Sequence, residues 1–76
     1  MRRVGEVVQL TNGLIIVRIT DHRYPPIGTS LLDERLNPVG RVVDVFGPVT
    51  NPYLALTSTD NRIDPAILGN RVYLRT

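Results

Sequence analysis

Seven carboxylates, one histidine and no cysteine are all that this 76-residue chain offers for catalysis. Asp33 and Glu34 are adjacent, so a strand sends them to opposite faces. Asp21 beside His22 has the same problem. No serine sits in a nucleophile elbow, and the six glycines are isolated, so no phosphate-cradling loop is present. His22 alone lacks the coordinated partners that acid–base or metal chemistry needs. Without cysteine there is no thiolate metal site and no disulfide. The residues therefore argue against an enzyme, and no catalytic residue, metal or cofactor is expected. One carboxylate is unusual in its setting. Asp44 lies among Val42, Val43, Val45 and Phe46, where an unpaired buried charge is costly. It is expected on the solvent side of a strand or accepting hydrogen bonds from turn amides, rather than serving a ligand.

The stretch that holds Asp44 organises the chain. Val39 to Tyr53 reads VGRVVDVFGPVTNPY. Strict alternation puts Val39, Arg41, Val43 and Val45 on one face, and Gly40, Val42, Asp44 and Phe46 on the other. Gly47-Pro48 ends this strand, and Asn51-Pro52 makes a second turn before Tyr53 opens the next. Such a stiff, mostly apolar corner has two uses. It can fix the register of the strands it joins, or it can dock a partner at little entropic cost. The residues by themselves weigh these equally.

The elements around it are short strands. Arg3 to Leu10 is predicted as the first, with Val4, Val8 and Leu10 on one face. Asn12-Gly13 signals a hairpin, and Leu14 to Thr20 returns with Ile15, Val17 and Ile19 as its core face. Leu14 and Ile16 make the opposite face too apolar for open solvent, so partial cover is expected there. Asp21 to Gly28 is a loop stiffened by Pro25 and Pro26, with Tyr24 folding over the barrel end and His22, Arg23 and Tyr24 as a polar and aromatic group. Thr29 to Asp33 is a short strand, Glu34 to Pro38 a polar turn, Tyr53 to Ser58 a strand and Thr59 to Arg62 a polar loop. Asp64 as cap, Pro65 at the first position and Gly69 after the end mark one helical turn. Arg71 to Arg75 alternates and closes the chain. Six short strands in one domain, residues 1–76, indicate an all-β barrel, because closure removes edges that a small sheet cannot cover. A core of this size supplies only about 3–5 kcal/mol, so tight packing, a partner or weak self-association through the apolar corner must add to it.

The charge is modest. Nine basic residues stand against seven acidic ones, and every basic residue is arginine. They are spread along the chain, whereas nucleic-acid binders more often concentrate charge on one face. No apolar run is long enough for a membrane helix. Met1-Arg2-Arg3 leads into Val4-Gly5-Glu6 rather than into the apolar segment of a signal peptide, which makes a cytoplasmic location the expectation.

Read together, Pro26-Ile27-Gly28-Thr29, Leu32-Asp33, the run VGRVVDVFGPVTNPYLAL from Val39, and Leu68-Gly69-Asn70-Arg71-Val72-Tyr73-Leu74 resemble the core domain of the Gar-type protein of H/ACA ribonucleoproteins in its short archaeal form. The resemblance implies a six-stranded β-barrel related to the second domain of translation elongation factors. It implies a noncatalytic subunit of the guide-RNA pseudouridylation particle, acting in rRNA modification. Its partner would be the catalytic domain of the dyskerin-type pseudouridine synthase, whose mobile substrate-handling loop it biases to assist substrate loading and product turnover. Guide RNA would be met only indirectly, through the particle. The residues that carry over as the synthase-facing surface are Pro26, Ile27, Gly28, Val45, Phe46, Gly47, Pro48, Val49, Asn51, Pro52 and Tyr53. Whether Phe46 and Tyr53 belong to core or interface, and which way Val43 and Val45 face, stays open at this level. The Gly-Arg-rich tails of the eukaryotic family are not in this sequence, which favours a protein binder. Two other barrels compete: one binding RNA directly, favoured by pI 9.7, and a PRC-type barrel acting in ribosome assembly.

Overall fold

Asn12 and Gly13 both adopt positive φ, 51° and 75°, as a two-residue hairpin turn requires. They join β1 (Arg2–Thr11) to β2 (Leu14–Ile19). The remaining strands of the computed structural model are β3 (Ser30–Leu32), β4 (Pro38–Phe46), β5 (Tyr53–Ser58) and β6 (Arg71–Leu74), with a 3-10 turn at Pro65–Ile67. The structure describes residues 1–21, 23–58 and 63–75. The expectations for His22 and for the loop Thr59 to Arg62 lie outside the described residues. All strand pairs are antiparallel, and the sheet closes on itself in the order β1-β2-β5-β4-β3-β6. The all-β six-stranded barrel is thus the fold. The expected helical turn is a 3-10 turn capped by Asp64, whose Oδ1 accepts from the Ala66 amide at 2.9 Å.

The barrel is filled by one cluster that includes Val4, Val7, Ile15, Val17, Leu31, Val42, Leu54, Leu56 and Val72. Two inward sets differ from strict alternation. On β1 the buried residue is Val7, while Val8 faces out, 39% exposed. On β4 Val42 is buried and Val43 is 40% exposed. Val45 then turns back to pack on the core, and Phe46 faces out. The cause is a set of β-bulges: one between Arg3 and Gly5 against β6, which brings Val7 rather than Val8 into phase with Val4, one between Val7 and Gln9 against β2, and one between Val42 and Asp44 against β5. An extra residue reverses the facing of everything beyond it. The doubled valines Val7-Val8 and Val42-Val43 are the sequence signal, since either member can fill the inward position. Bulges also increase the local twist that closure of a small barrel needs.

Ile16 and Ala55 pair across β2 and β5, are 7% and 3% exposed, and stand outside the interior cluster. The cover expected for the outer face of β2 is therefore present at Ile16.

The two ends of the barrel are closed differently. At one end lie the hairpin tip, the turn between β3 and β4, and the 3-10 turn; Ile63 and Ile67 pack against the core there. At the other lie the loop between β2 and β3 and the corner between β4 and β5. Pro25 is fully buried in this end, and Tyr24 is 46% exposed. The plug is thus the proline and not the tyrosine. Pro25 presents a compact apolar ring and no amide that would need a partner, whereas Tyr24 would have to bury a hydroxyl.

Candidate protein-docking site

Two tight turns meet at the loop end. In the first, the Thr29 amide donates to the Pro26 carbonyl at 3.2 Å, and Gly28 takes φ 97°. A positive φ at the third position is a type II turn, which needs glycine there. Ile27 occupies the tip and is 64% exposed. In the second, the Asn51 amide donates to the Pro48 carbonyl at 3.2 Å. Val49 is the tip and is 97% exposed, the most exposed large apolar side chain among the described residues. Each turn thus fixes its backbone with proline and presents a β-branched residue to solvent.

The barrel holds both turns firmly. The Gly28 amide donates to the Val42 carbonyl at 2.7 Å, and the Val42 amide to the Thr29 carbonyl at 2.9 Å. These bonds tie the first turn to β4 at its bulge, next to outward-facing Val43. The second turn hangs from the β4–β5 pair, where Phe46 is opposite Tyr53. Their rings stack with centroids 5.8 Å apart at 21°. Gly47 follows with φ 93°, and a Cβ there would lie 3.0 Å from Tyr53 Cδ1. Glycine is required twice over, for its backbone and for the tyrosine ring. The Pro52 carbonyl accepts from the Ile19 amide at 3.4 Å, which extends the β2–β5 ladder into the corner.

Between the corner and the β2–β3 loop runs a groove of about 370 Å³, lined by Ile19, Thr20, Asp21, Tyr24, Val49, Thr50, Asn51 and Pro52. Tyr24 and Val49 give it apolar walls, and Thr20, Asp21, Thr50 and Asn51 a polar rim. Asp21 is committed to the fold. Its carboxylate accepts from the Arg23 amide at 3.0 Å and from the Arg2 guanidinium at 2.9 Å, and those two bonds, the backbone one first, hold its pKa below the ordinary carboxylate value.

Of the sequence-selected residues, Pro26, Ile27, Gly28, Phe46, Gly47, Pro48, Val49 and Asn51 are exposed at this end, and Pro52 and Tyr53 are half-buried beside them. Val45 differs: it is half-buried and packed on the core, because the bulge turns it inward opposite Leu54. Asp44 faces solvent, and its Oδ1 accepts from the Val45 amide at 2.9 Å. It is a partner for a bulge amide. Tyr24 and Val43 are exposed as well, at 46% and 40%; neither is among the residues carried over from the resemblance, and the facing of Val43, open in the sequence, is outward. No group of three or more His, Asp or Glu side chains that could hold a metal ion occurs among the described residues.

The model of the Gar1/Naf1 RNA binding region matches residues 1–76. The chain belongs to the Gar1/Naf1 family. An uncharacterized protein of Methanothermobacter thermautotrophicus (strain Delta H) is 32% identical over 73 residues, which span 95% of this chain and 76% of that one. The solved structure of the Gar1 domain of Naf1 superimposes with a TM-score of 0.73 at 20% identity, over 93% of this chain and 80% of that one; at that identity it speaks for the barrel alone. Membership of the Gar1/Naf1 family associates the chain with H/ACA ribonucleoproteins and with RNA binding.

Proposed function

We propose that this chain is a noncatalytic protein subunit of the H/ACA guide-RNA pseudouridylation particle. Its loop end docks on the catalytic domain of the dyskerin-type synthase, and docking assists substrate RNA loading and product turnover in rRNA modification. One observation carries the reading. Two hydrogen-bonded turns, whose sequences are the family-like pieces Pro26–Thr29 and Phe46–Tyr53, leave Ile27, Phe46 and Val49 exposed at the loop end of the barrel, with Val43 exposed beside the first turn and Tyr24 lining one groove with Val49. Exposed apolar groups on a backbone already fixed by Pro, Gly and ladder hydrogen bonds lose little entropy on binding. Aromatic anchors such as Phe46 over Tyr53 are frequent centres of binding energy. The particle is taken to act in the cytoplasm.

The test is capture of a purified dyskerin-type synthase catalytic domain by the immobilised chain. Saturable binding at micromolar concentration or tighter, lost on Phe46→Ala with Val49→Asp in a folded variant, is expected. No binding by the intact pair overturns the reading.

A further inference from the structure

The face of the barrel formed by β1 and β6 is built differently from the docking end. β6 places Arg71 and Tyr73 outward on alternate positions, with Val72 buried between them. Arg75 follows two residues after Tyr73 and is exposed. Across the strand pair, Arg3 is directly opposite Tyr73, and Glu6 is opposite Arg71. A half-buried tyrosine therefore has an exposed arginine opposite it and another two residues to either side along the chain. Arg3 and Arg71 also line one shallow depression of about 190 Å³, together with Gly5, Glu6 and Thr20.

The acids near this face are already engaged. Glu6 is bonded to Arg18, and Glu34 lies 3.8 Å from Arg71 in an exposed pair that solvent screens and that is easily exchanged. Arg3 and Arg75 have no ion pair among the described residues. Arg3, Arg18, Arg71 and Arg75 against Glu6 and Glu34 leave a surplus of two charges, equal to the formal net charge of the whole chain, +2. The arginines are scattered in the sequence, but folding gathers the surplus on one side.

We propose that the β1–β6 face binds single-stranded RNA, with Arg3, Arg71 and Arg75 on successive phosphates and Tyr73 beneath a base. Alternate residues on a strand are spaced by about 6–7 Å, a reach suited to consecutive phosphates of an extended chain. Arginine forks fit phosphate oxygens, and an aromatic side chain beside them is the arrangement on which unpaired bases stack. This reading takes the family's RNA binding and gives it a place. It is independent of synthase docking, since the loop-end turns contribute none of these residues.

The experiment is fluorescence anisotropy of labelled, unstructured oligouridine from about 50 to about 200 mM salt, with the intact chain and variants whose fold is checked by circular dichroism. Arg3→Gln with Arg75→Gln is expected to weaken binding at least tenfold at low salt. It is also expected to flatten the log–log salt slope by about 1.4, at roughly 0.7 per lost phosphate contact on a single strand. Tyr73→Leu keeps an apolar contact with the wall, and is expected to lower affinity about tenfold with the slope unchanged. Arg41→Gln removes the same charge from β4, on the far side of the closed barrel, and is expected to change neither. Equal losses from Arg41→Gln and Arg3→Gln, or no binding by the wild-type chain at low salt, overturn the assignment. Synthase capture retained by the Arg3/Arg75 variant, together with RNA binding retained by the Phe46/Val49 variant, separates this site from the docking end.

Discussion

The two ends of the barrel differ in how they hold the turns that carry their exposed tips. At the turn end Asn12 and Gly13 set the hairpin, and side-chain carboxylates hold the β3–β4 turn and the 3-10 turn. Asp33 Oδ1 accepts from the amides of Arg35 at 2.8 Å and Asn37 at 2.9 Å, and Asp64 caps the 3-10 turn. Acids are spent on orphan amides there, and among the described residues the large apolar side chains exposed at this end are Leu36 and Leu68. At the loop end, prolines and positive-φ glycines set the backbone. No polar side chain is needed to hold the tips, so Ile27 and Val49 are free to be apolar. A turn satisfied by its own carboxylate is finished as a structure. A turn fixed by Pro and Gly leaves its side chains available, and here they are the ones that water does not favour.

This contrast can be broken in a graded series. The largest effect is expected from Phe46→Ala with Val49→Asp. Loss of an aromatic anchor and burial of a charge should cost about 2–4 kcal/mol of synthase binding, measured by calorimetric titration, with thermal unfolding nearly unchanged. A collapse of folding instead would return the corner to a purely structural role. Asp33→Ala should do the reverse. It strands two amides and should lower stability by about 1–3 kcal/mol, at about 4–8 °C in Tm per kcal/mol, while synthase affinity stays within error. Gly47→Ala tests the hinge between the two properties. Strain at positive φ costs about 1–2 kcal/mol, and the added Cβ pushes on the Tyr53 ring, so stability and binding should fall together. Leu36 has φ 68° in the Asp33 turn, a conformation that asparagine tolerates better. Leu36→Asn should therefore raise stability by about 0.5–1 kcal/mol, read from urea unfolding. The smallest effect concerns Asp21. Its pKa is lowered in the folded state, so its contribution is present above the ordinary carboxylate pKa and is lost as pH falls through the folded value. Arg2→Gln should lower Tm slightly at neutral pH, and the difference from wild type should close in acid. A constant difference would mean that Arg2 acts by packing alone.

Much of this was legible before folding. Hairpin, turns, capped 3-10 turn and closing strand all rest on local chemistry: Asn-Gly, Gly-Pro, Asn-Pro, Asp-Pro. Pieces 26–29 and 46–53 were both visible as motifs. Less legible was what lies on which face. The valine pairs at 7–8 and 42–43 satisfy an inward requirement in either register. Only the register of the closed sheet, β1 against β6 and β2 and β4 against β5, selects Val7 and Val42 and sends Val8 and Val43 out. The same choice drew Val45 inward, out of the surface to which its motif had assigned it. Which ring system plugs the loop end was likewise a matter of fit, and Pro25 took the place expected for Tyr24.

By itself the sequence determined that the chain is a short-stranded barrel, and that its corner from Phe46 to Tyr53 is stiff and apolar. Those properties follow from residue types and near neighbours. The tertiary structure decided the rest, because it depends on closure. Pairing β3 with β4 brings Ile27, twenty-two residues before Val49, to the same end of the molecule. Pairing β1 with β6 sets Arg3 opposite Tyr73 and brings Arg3 and Arg71, far apart in sequence, to one depression. Separation along the chain carries no information about either meeting; only the hydrogen-bonded order of a closed sheet does.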